Sequence, residues 1–195
     1  MTKKTLTEDE ILGIFRKTGA LKEGHFTLTS GRHSAYYFQC ALVLQYPEYC
    51  EMFAEALSDH YSDETVDVVI APAIGGIVIA QEVGRQLGKK TIFAEREEDG
   101  MTLRRGFSLN PRDHVLICED VVTTGGSVRE IIDLVRESGA VPVGVAMIVD
   151  RSDGIVDFGI EQFSLIRLNV TSFNKSECPL CKKDVPAEKP GSRAT

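Results

Sequence analysis

One fourteen-residue stretch, Val115 to Val128 (VLICEDVVTTGGSV), limits what this chain can fold into more than any other. Val115 to Cys118 have the length and β-branched content of a buried parallel strand, and Glu119 and Asp120 follow without a break. The two carboxylates therefore stand at a strand's carboxyl end. Val121, Val122, Thr123, Thr124, Gly125, Gly126 and Ser127 come next, small or hydroxylated toward the end, and then Val128, Ile131, Ile132 and Val135 repeat with helical spacing. Strand, loop and helix N-terminus are thus consecutive.

A turn of this composition has a chemical use. Unpaired backbone N–H groups at the start of a helix, its dipole and the Thr and Ser hydroxyls together cradle a phosphate. Gly125 and Gly126 let the backbone approach a ligand closely. Carboxylates just upstream suit vicinal sugar hydroxyls or a Mg²⁺ ion, so the stretch reads as a holder for a ribose 5-phosphate. It has neither the Gly-Lys-Ser/Thr ending of a Walker A loop nor the Gly-x-Gly-x-x-Gly of a dinucleotide fold. A bare Gly-Gly turn would imply turn geometry alone, but here nine consecutive residues, Glu119 to Ser127, stand in the right chemical order.

The flanking chain supplies a matching frame. Thr7 and Glu10 form a capping box ahead of Ile11, Ile14 and Phe15, which predicts a helix to about Gly19. Short strands follow, with a turn at Thr29-Ser30-Gly31. Pro47 suits the first turn of a helix whose stripe is Tyr49, Met52, Phe53, Ala56, Leu57 and His60; His60 reads as a helix-end histidine. Asp67 leads VDVVIAPAIGG, a strand entering a loop, and a helix spans Ile77 to Leu87. Gly75 and Gly76 either face a ligand or simply end the strand. Thr91 to Ala94 is a strand, Glu95 to Arg105 a mixed-charge loop, and Val141 to Val149 another apolar strand after the helix stop at Gly139 and Pro142. Strands alternating with helices predict a parallel α/β sheet with its ligand beyond the strands' carboxyl ends, where Asp150 and Arg151 also lie. An ion pair of Arg151 with Asp150 or Asp153 is the plainer alternative.

With 195 residues the chain can bury a real core as one domain. Its net charge of −7 argues against a general nucleic-acid surface, and no apolar run or signal-like N-terminus suggests a membrane. Cys40, Cys50 and Cys118 read as buried reduced thiols. Cys178 and Cys181 form a lone CPLC, half of a zinc site or a redox pair, with no second Cys or His pair evident to complete a zinc site within one chain. An idle tail is the first expectation, zinc shared between subunits the second, and disorder is expected after Asp184.

EDVVTTGGS closely resembles the 5-phosphoribosyl 1-diphosphate (PRPP) signature of the type I phosphoribosyltransferases. Gly24 to Ala41, GHFTLTSGRHSAYYFQCA, resembles the base-covering hood of the orotate phosphoribosyltransferase family, with Phe26, Leu28, Ser30, Gly31, Arg32, Ser34 and Tyr36 matching its pattern. The resemblance covers about residues 7 to 170. It implies an α/β fold, a central mostly parallel sheet flanked by helices with a small N-terminal hood. One domain would span 1–172, with the hood at about 7–45 and the core at about 46–172, before a polar tail at 173–195.

The implied reaction moves the phosphoribosyl group of PRPP to orotate, giving orotidine 5′-monophosphate and pyrophosphate in pyrimidine (UMP) biosynthesis, with Mg²⁺, in a cytoplasmic homodimer without nucleic-acid or membrane partners. By the same resemblance Glu119 and Asp120 hold the ribose hydroxyls, and Val121 to Ser127 hold the 5-phosphate. Arg96 would serve the pyrophosphate from a mobile lid shared across subunits, hinged at Gly100 and Gly106, and Thr123 and Arg151 would contact orotate. No side chain is assigned to a metal. Thr29 and Gly75 stand where many members carry Lys, and the lid EREEDGMTLRRG has no lysine, leaving Arg104 or Arg105 to replace it. A purine-base phosphoribosyltransferase and a non-catalytic PRPP-binding regulator are the two rival readings.

Overall fold

The computed structural model describes residues 6–28, 30–168 and 170–190. Helix α1, Glu8–Lys17, opens on the expected capping box: Glu10 N–H donates to Thr7 Oγ1 at 3.3 Å and Thr7 N–H to Glu10 Oε2 at 3.0 Å. It buries Ile11 and Phe15. Strands β1, Leu21–Thr27, and β2, His33–Phe38, form the expected hood hairpin. Of its turn, Thr29 lies outside the described residues. After the short α2, Ala41–Leu44, helix α3, Pro47–His60, starts at its proline.

The core then alternates as its pattern predicts. Strand β3, Val68–Pro72, leads to α4, Gly75–Leu87, β4, Lys90–Glu97, and β5, Gly100–Leu103. Strand β6, His114–Val122, leads to α5, Gly126–Glu137, and then to β7, Val141–Asp150, and β8, Gln162–Arg167. The sheet order is β5-β4-β3-β6-β7-β8, parallel throughout except for β5. Every residue of β3 is buried, as expected when helices cover both faces. Phe15, Phe53, Leu57, Ile79 and Val83 from α1, α3 and α4 pack into one core, and Val128, Ile131, Ile132 and Val135 from α5 into the other, with Ile70 and Ile117. The protein is thus α/β, with a central mostly parallel sheet flanked by helices.

Several expectations need correction. Glu95 to Arg105 is not an open loop: β4 runs on to Glu97 and pairs antiparallel with β5 through a two-residue turn, Glu98–Asp99. Its charges are compatible with this because the hairpin is the sheet's edge, where charged side chains reach water. The buried stripe of α3 is Cys50, Phe53, Ala54, Leu57 and Ser58, whereas Met52 is exposed. His60 ends α3 as expected, 3.1 Å from Glu161 and stacked on Phe163. Cys40, Cys50 and Cys118 are free and buried, and burial pushes the Cys50 thiol up to about 11.

The largest departure is the tail. Strand β9, Ser172–Phe173, adds to β2 and makes the hood a three-stranded antiparallel sheet. Arg32 Nε donates to Ser172 Oγ at 2.8 Å, which ties the hood's turn to that strand. The chain then crosses the hairpin and bridges the β1 edge beyond Asp184. Thr27 N–H donates to Glu188 O at 2.7 Å and Glu188 N–H to His25 O at 2.8 Å. Backbone hydrogen bonds to an otherwise open strand edge hold a polar segment that has no apolar pattern of its own.

Candidate active site

Strand β6 carries Glu119 and Asp120 at its carboxyl end, and residues 123–125 turn directly into α5. Glu119 is buried, at 8% exposure, and Asp120 is half-buried beside it. Asp120 N–H donates to Glu119 Oε1 at 3.1 Å, and Val121 N–H to Asp120 Oδ1 at 2.9 Å, so each carboxylate is oriented by the strand's own backbone. Burial, and then the Asp120 charge, push the Glu119 carboxyl well above the usual carboxylate range. A cation or sugar hydroxyls placed there would draw it toward ionisation.

The space for these acids comes from the loop after β3. A Cβ on Gly75 would stand 2.7 Å from Asp120 Oδ1, and one on Gly76 would stand 3.0 Å from Glu119 Oε1. The glycine pair is therefore more than a strand terminator. It is the wall against which both carboxylates lie, and a side chain at position 75 would have to displace Asp120. The Ala73–Ile74 peptide just before it is cis, and Ile74 is exposed.

Past the acids, Val122 is buried while Thr123 and Thr124 are exposed. Gly125 is the N-cap of α5 with φ +75°. A Cβ there would meet Val156 at 2.8 Å and Phe158 at 2.9 Å, so both backbone sign and packing require glycine. Gly126 and Ser127 open the helix, leaving first-turn N–H groups directed at a concavity of about 70 Å³ lined by Glu119 and residues 121–128. A helix N-terminus with small and hydroxylated residues around a cavity of this size suits one phosphate group.

Arg151 follows β7, and its backbone N–H donates to Val122 O at 2.8 Å, which places it one strand from the phosphate loop. Its side chain is half-buried, its Nε has no hydrogen-bond partner, and burial lowers its pKa. The plainer ion pair with Asp150 is not formed. That carboxylate accepts instead from Ser152 N–H at 2.8 Å, Ser152 Oγ at 2.6 Å and Gly154 N–H at 3.0 Å. Arg151 is thus a cation with an unmet donor at the mouth of the sheet.

None of the described contacts brings Arg96 to the acid pair. The arginine lies on β4 and pairs with Glu130 of α5 at 2.9 Å. Arg104 pairs with Glu97 at 3.3 Å and Arg105 bidentately with Glu95 at 2.9 Å. A larger groove of about 810 Å³ between α1, α3 and β8 shares none of these residues. Its Leu6, Ile11, Ile14, Met52 and Phe163 suit apolar contact rather than a phosphate.

The hood holds a cluster that sequence reading missed. His25 and His33 meet Cys178 and Cys181 with ligand atoms all within 4.8 Å of one another, so the expectation that no His pair completes CPLC within one chain is overturned. The histidines come together because β1 has one extra residue relative to β2 between Glu23 and Phe26, and His25 sits in that bulge. A search for histidines on facing arms of the predicted hairpin could have found them.

Residues 43–158 match the Phosphoribosyl transferase domain. The chain is 53% identical to an orotate phosphoribosyltransferase of Pelotomaculum thermopropionicum over 96% of its length and 99% of the relative's. Identity to one from Chlorobaculum parvum is 54%, over 97% and 98% of the two chains. Among solved structures, an orotate phosphoribosyltransferase from Aeropyrum pernix superposes with a TM-score of 0.69 at 24% identity, covering 81% of this chain and 93% of the other. That last likeness is one of fold.

Proposed function

Since this chain belongs to the orotate phosphoribosyltransferase family, we propose that it transfers the 5-phosphoribosyl group of PRPP to orotate, releasing pyrophosphate, in pyrimidine nucleotide synthesis. The observation that carries the reading is the acid pair leading directly into a phosphate-sized helix N-terminus, with the unmet donor of Arg151 one strand away. Displacement at C1 of an activated sugar through a cation-like transition state needs placement and electrostatics, with no nucleophilic side chain.

Residues 123–127 hold the 5-phosphate, with Val121 and Val122 shaping the approach. Asp120 and Glu119 accept from the ribose hydroxyls and favour positive charge growing at the sugar. Arg151 and Thr123 receive orotate, the guanidinium facing its carboxylate, a strong and specific pairing. Mg²⁺ fits the oxygen-only character of the acid pair and of PRPP itself. When bound beside Asp120 and Glu119 it supplies neutralisation of the charge building on the pyrophosphate.

The lid reading extends across subunits. Arg96, Arg104 and Arg105 each have a carboxylate partner in their own chain, and the described contacts bring none of them to Glu119 or Asp120. In a homodimer the hairpin of one subunit closes over the partner's site, and exchange of these ion pairs for pyrophosphate contacts accompanies closure. We take residues 1–172 as the transferase unit, with the hood at about 7–45 and the core at about 46–172. A cytoplasmic location belongs to the same reading; no described helix is long and apolar enough to cross a membrane.

The test is loss of orotate absorbance on adding purified protein to orotate, PRPP and Mg²⁺, with uracil and purine bases as controls. Rapid orotate-specific loss is expected. Turnover of a purine base alone would reassign the hood, and PRPP binding without turnover of any base would make the protein a regulator.

A further inference from the structure

We propose that His25, His33, Cys178 and Cys181 form a structural zinc site that clips the C-terminal tail onto the hood of the same chain. The proposal is independent of the reaction above. Two nitrogens and two sulfurs, with no oxygen donor among them, select zinc over the hard cations. Two thiolates and two neutral imidazoles cancel the charge of one Zn²⁺, which allows the ion to sit in a buried place: His25 is 4% exposed, His33 6% and Cys178 1%.

The spacing agrees with one tetrahedral ion. From Zn–S of about 2.3 Å and Zn–N of about 2.0–2.1 Å, tetrahedral N···S edges come to roughly 3.6 Å. The structure has Cys178 Sγ 3.5 Å and Cys181 Sγ 3.7 Å from His25 Nε2, and Cys181 Sγ 3.3 Å from His33 Nδ1. His25 Nε2 and His33 Nδ1 are closer, at 2.7 Å, so ion entry parts the two rings by roughly half an ångström.

The surrounding shell orients the ligands. His25 Nδ1 lies 2.7 Å from Val185 O, and a carbonyl only accepts, so the proton belongs on Nδ1 and the Nε2 lone pair points into the cluster. Lys182 N–H donates to Cys178 O at 3.1 Å and Val185 N–H to Leu180 O at 3.1 Å, closing CPLC into a tight turn that aims both sulfurs one way. The bulge in β1 turns His25 inward beside the buried Phe26. Ion binding would join residues near the two ends of the chain, fixing β9 and the Glu188 bridge on opposite edges of the hairpin. A small sheet with little core of its own gains most from such a clip.

The test uses the full chain purified without a histidine tag or chelator. Metal analysis should find about one zinc per chain, and Cys178→Ser or Cys181→Ser should lower that by roughly tenfold or more, whereas Cys50→Ser keeps it. The protein stripped of metal and loaded with Co²⁺ should show the intense visible absorption of a tetrahedral thiolate site, with Co²⁺ displaced by added Zn²⁺. That measurement stands even if a variant folds poorly. Wild-type protein that carries no zinc and takes up neither ion after reduction would overturn the proposal. So would a Cys178–Cys181 disulfide in freshly isolated protein that, once reduced, still binds no metal. Zinc that requires two chains per ion would overturn the single-chain site.

Discussion

Two glycines with the same left-handed backbone stand in two regions of this molecule: Gly125 at the start of α5, φ +75°, and Gly31 in the hood turn, φ +76°. A Cβ on Gly125 would be driven into Val156 and Phe158, whereas one on Gly31 would meet nothing within 4 Å among the described residues. The phosphate loop is thus pinned from below by a later segment of the chain. The hood turn is held instead by hydrogen bonds, with Arg32 tied to Ser172 and the strands and tail beside it. One region is held because packing crowds its backbone, the other because remote segments are hydrogen-bonded to it.

Substitutions can break or sharpen this contrast. The largest effect is expected for Asp120→Asn, which keeps the side chain's shape but removes its charge. Turnover in the orotate absorbance assay should fall by about 10²-fold or more while the melting temperature stays near wild type. A variant with full turnover would remove Asp120 from the chemistry. Gly125→Ala should cost about 2–3 kcal/mol in a denaturant titration, through backbone strain together with overpacking. Gly31→Ala meets only the backbone term, about 1 kcal/mol, and equal losses at both positions would erase the distinction between a crowded and an open glycine.

On the proposed reading, in which its guanidinium meets the carboxylate of orotate, Arg151→Ala should raise the orotate KM by roughly 10-fold or more and leave the PRPP KM little changed. The last effect is a slope with pH. Burial, and then the Asp120 charge, hold the Glu119 carboxyl above its ordinary 4.5 in the folded protein, so the folded state keeps a proton that the unfolded chain releases. Stability from this group is therefore fully present below pH 4.5 and falls as pH rises above it toward the raised folded value. Thermal melts of the ligand-free protein across this range, compared with Glu119→Gln, should show the variant's curve lacking that decline.

Much of the architecture is legible in the sequence because it is local. The Thr7–Glu10 capping box, Pro47 at the start of α3 and the apolar runs of β3, β6 and β7 each declare an element within a few residues. The β4–β5 hairpin was obscured by its charges and by a turn, Glu98–Asp99, that is not one of the Asn-Gly or Asp-Gly pairs marking a two-residue hairpin. Strand β8, QFSLIR, has only Ile166 buried and so lacks the apolar run that marked its neighbours.

The sequence by itself determined the phosphate loop, its acid pair and the alternation that puts them at the end of a parallel sheet. Those features need only neighbouring residues, because a strand end and a helix N-terminus are made of consecutive backbone. Only the tertiary structure decided that Gly75 and Gly76 make room for the two carboxylates, that Arg151 keeps an unmet donor while Asp150 is satisfied elsewhere, and that CPLC meets two histidines some 150 residues earlier. Each of these depends on segments that the sheet brings together, and distance along the chain carries no record of it.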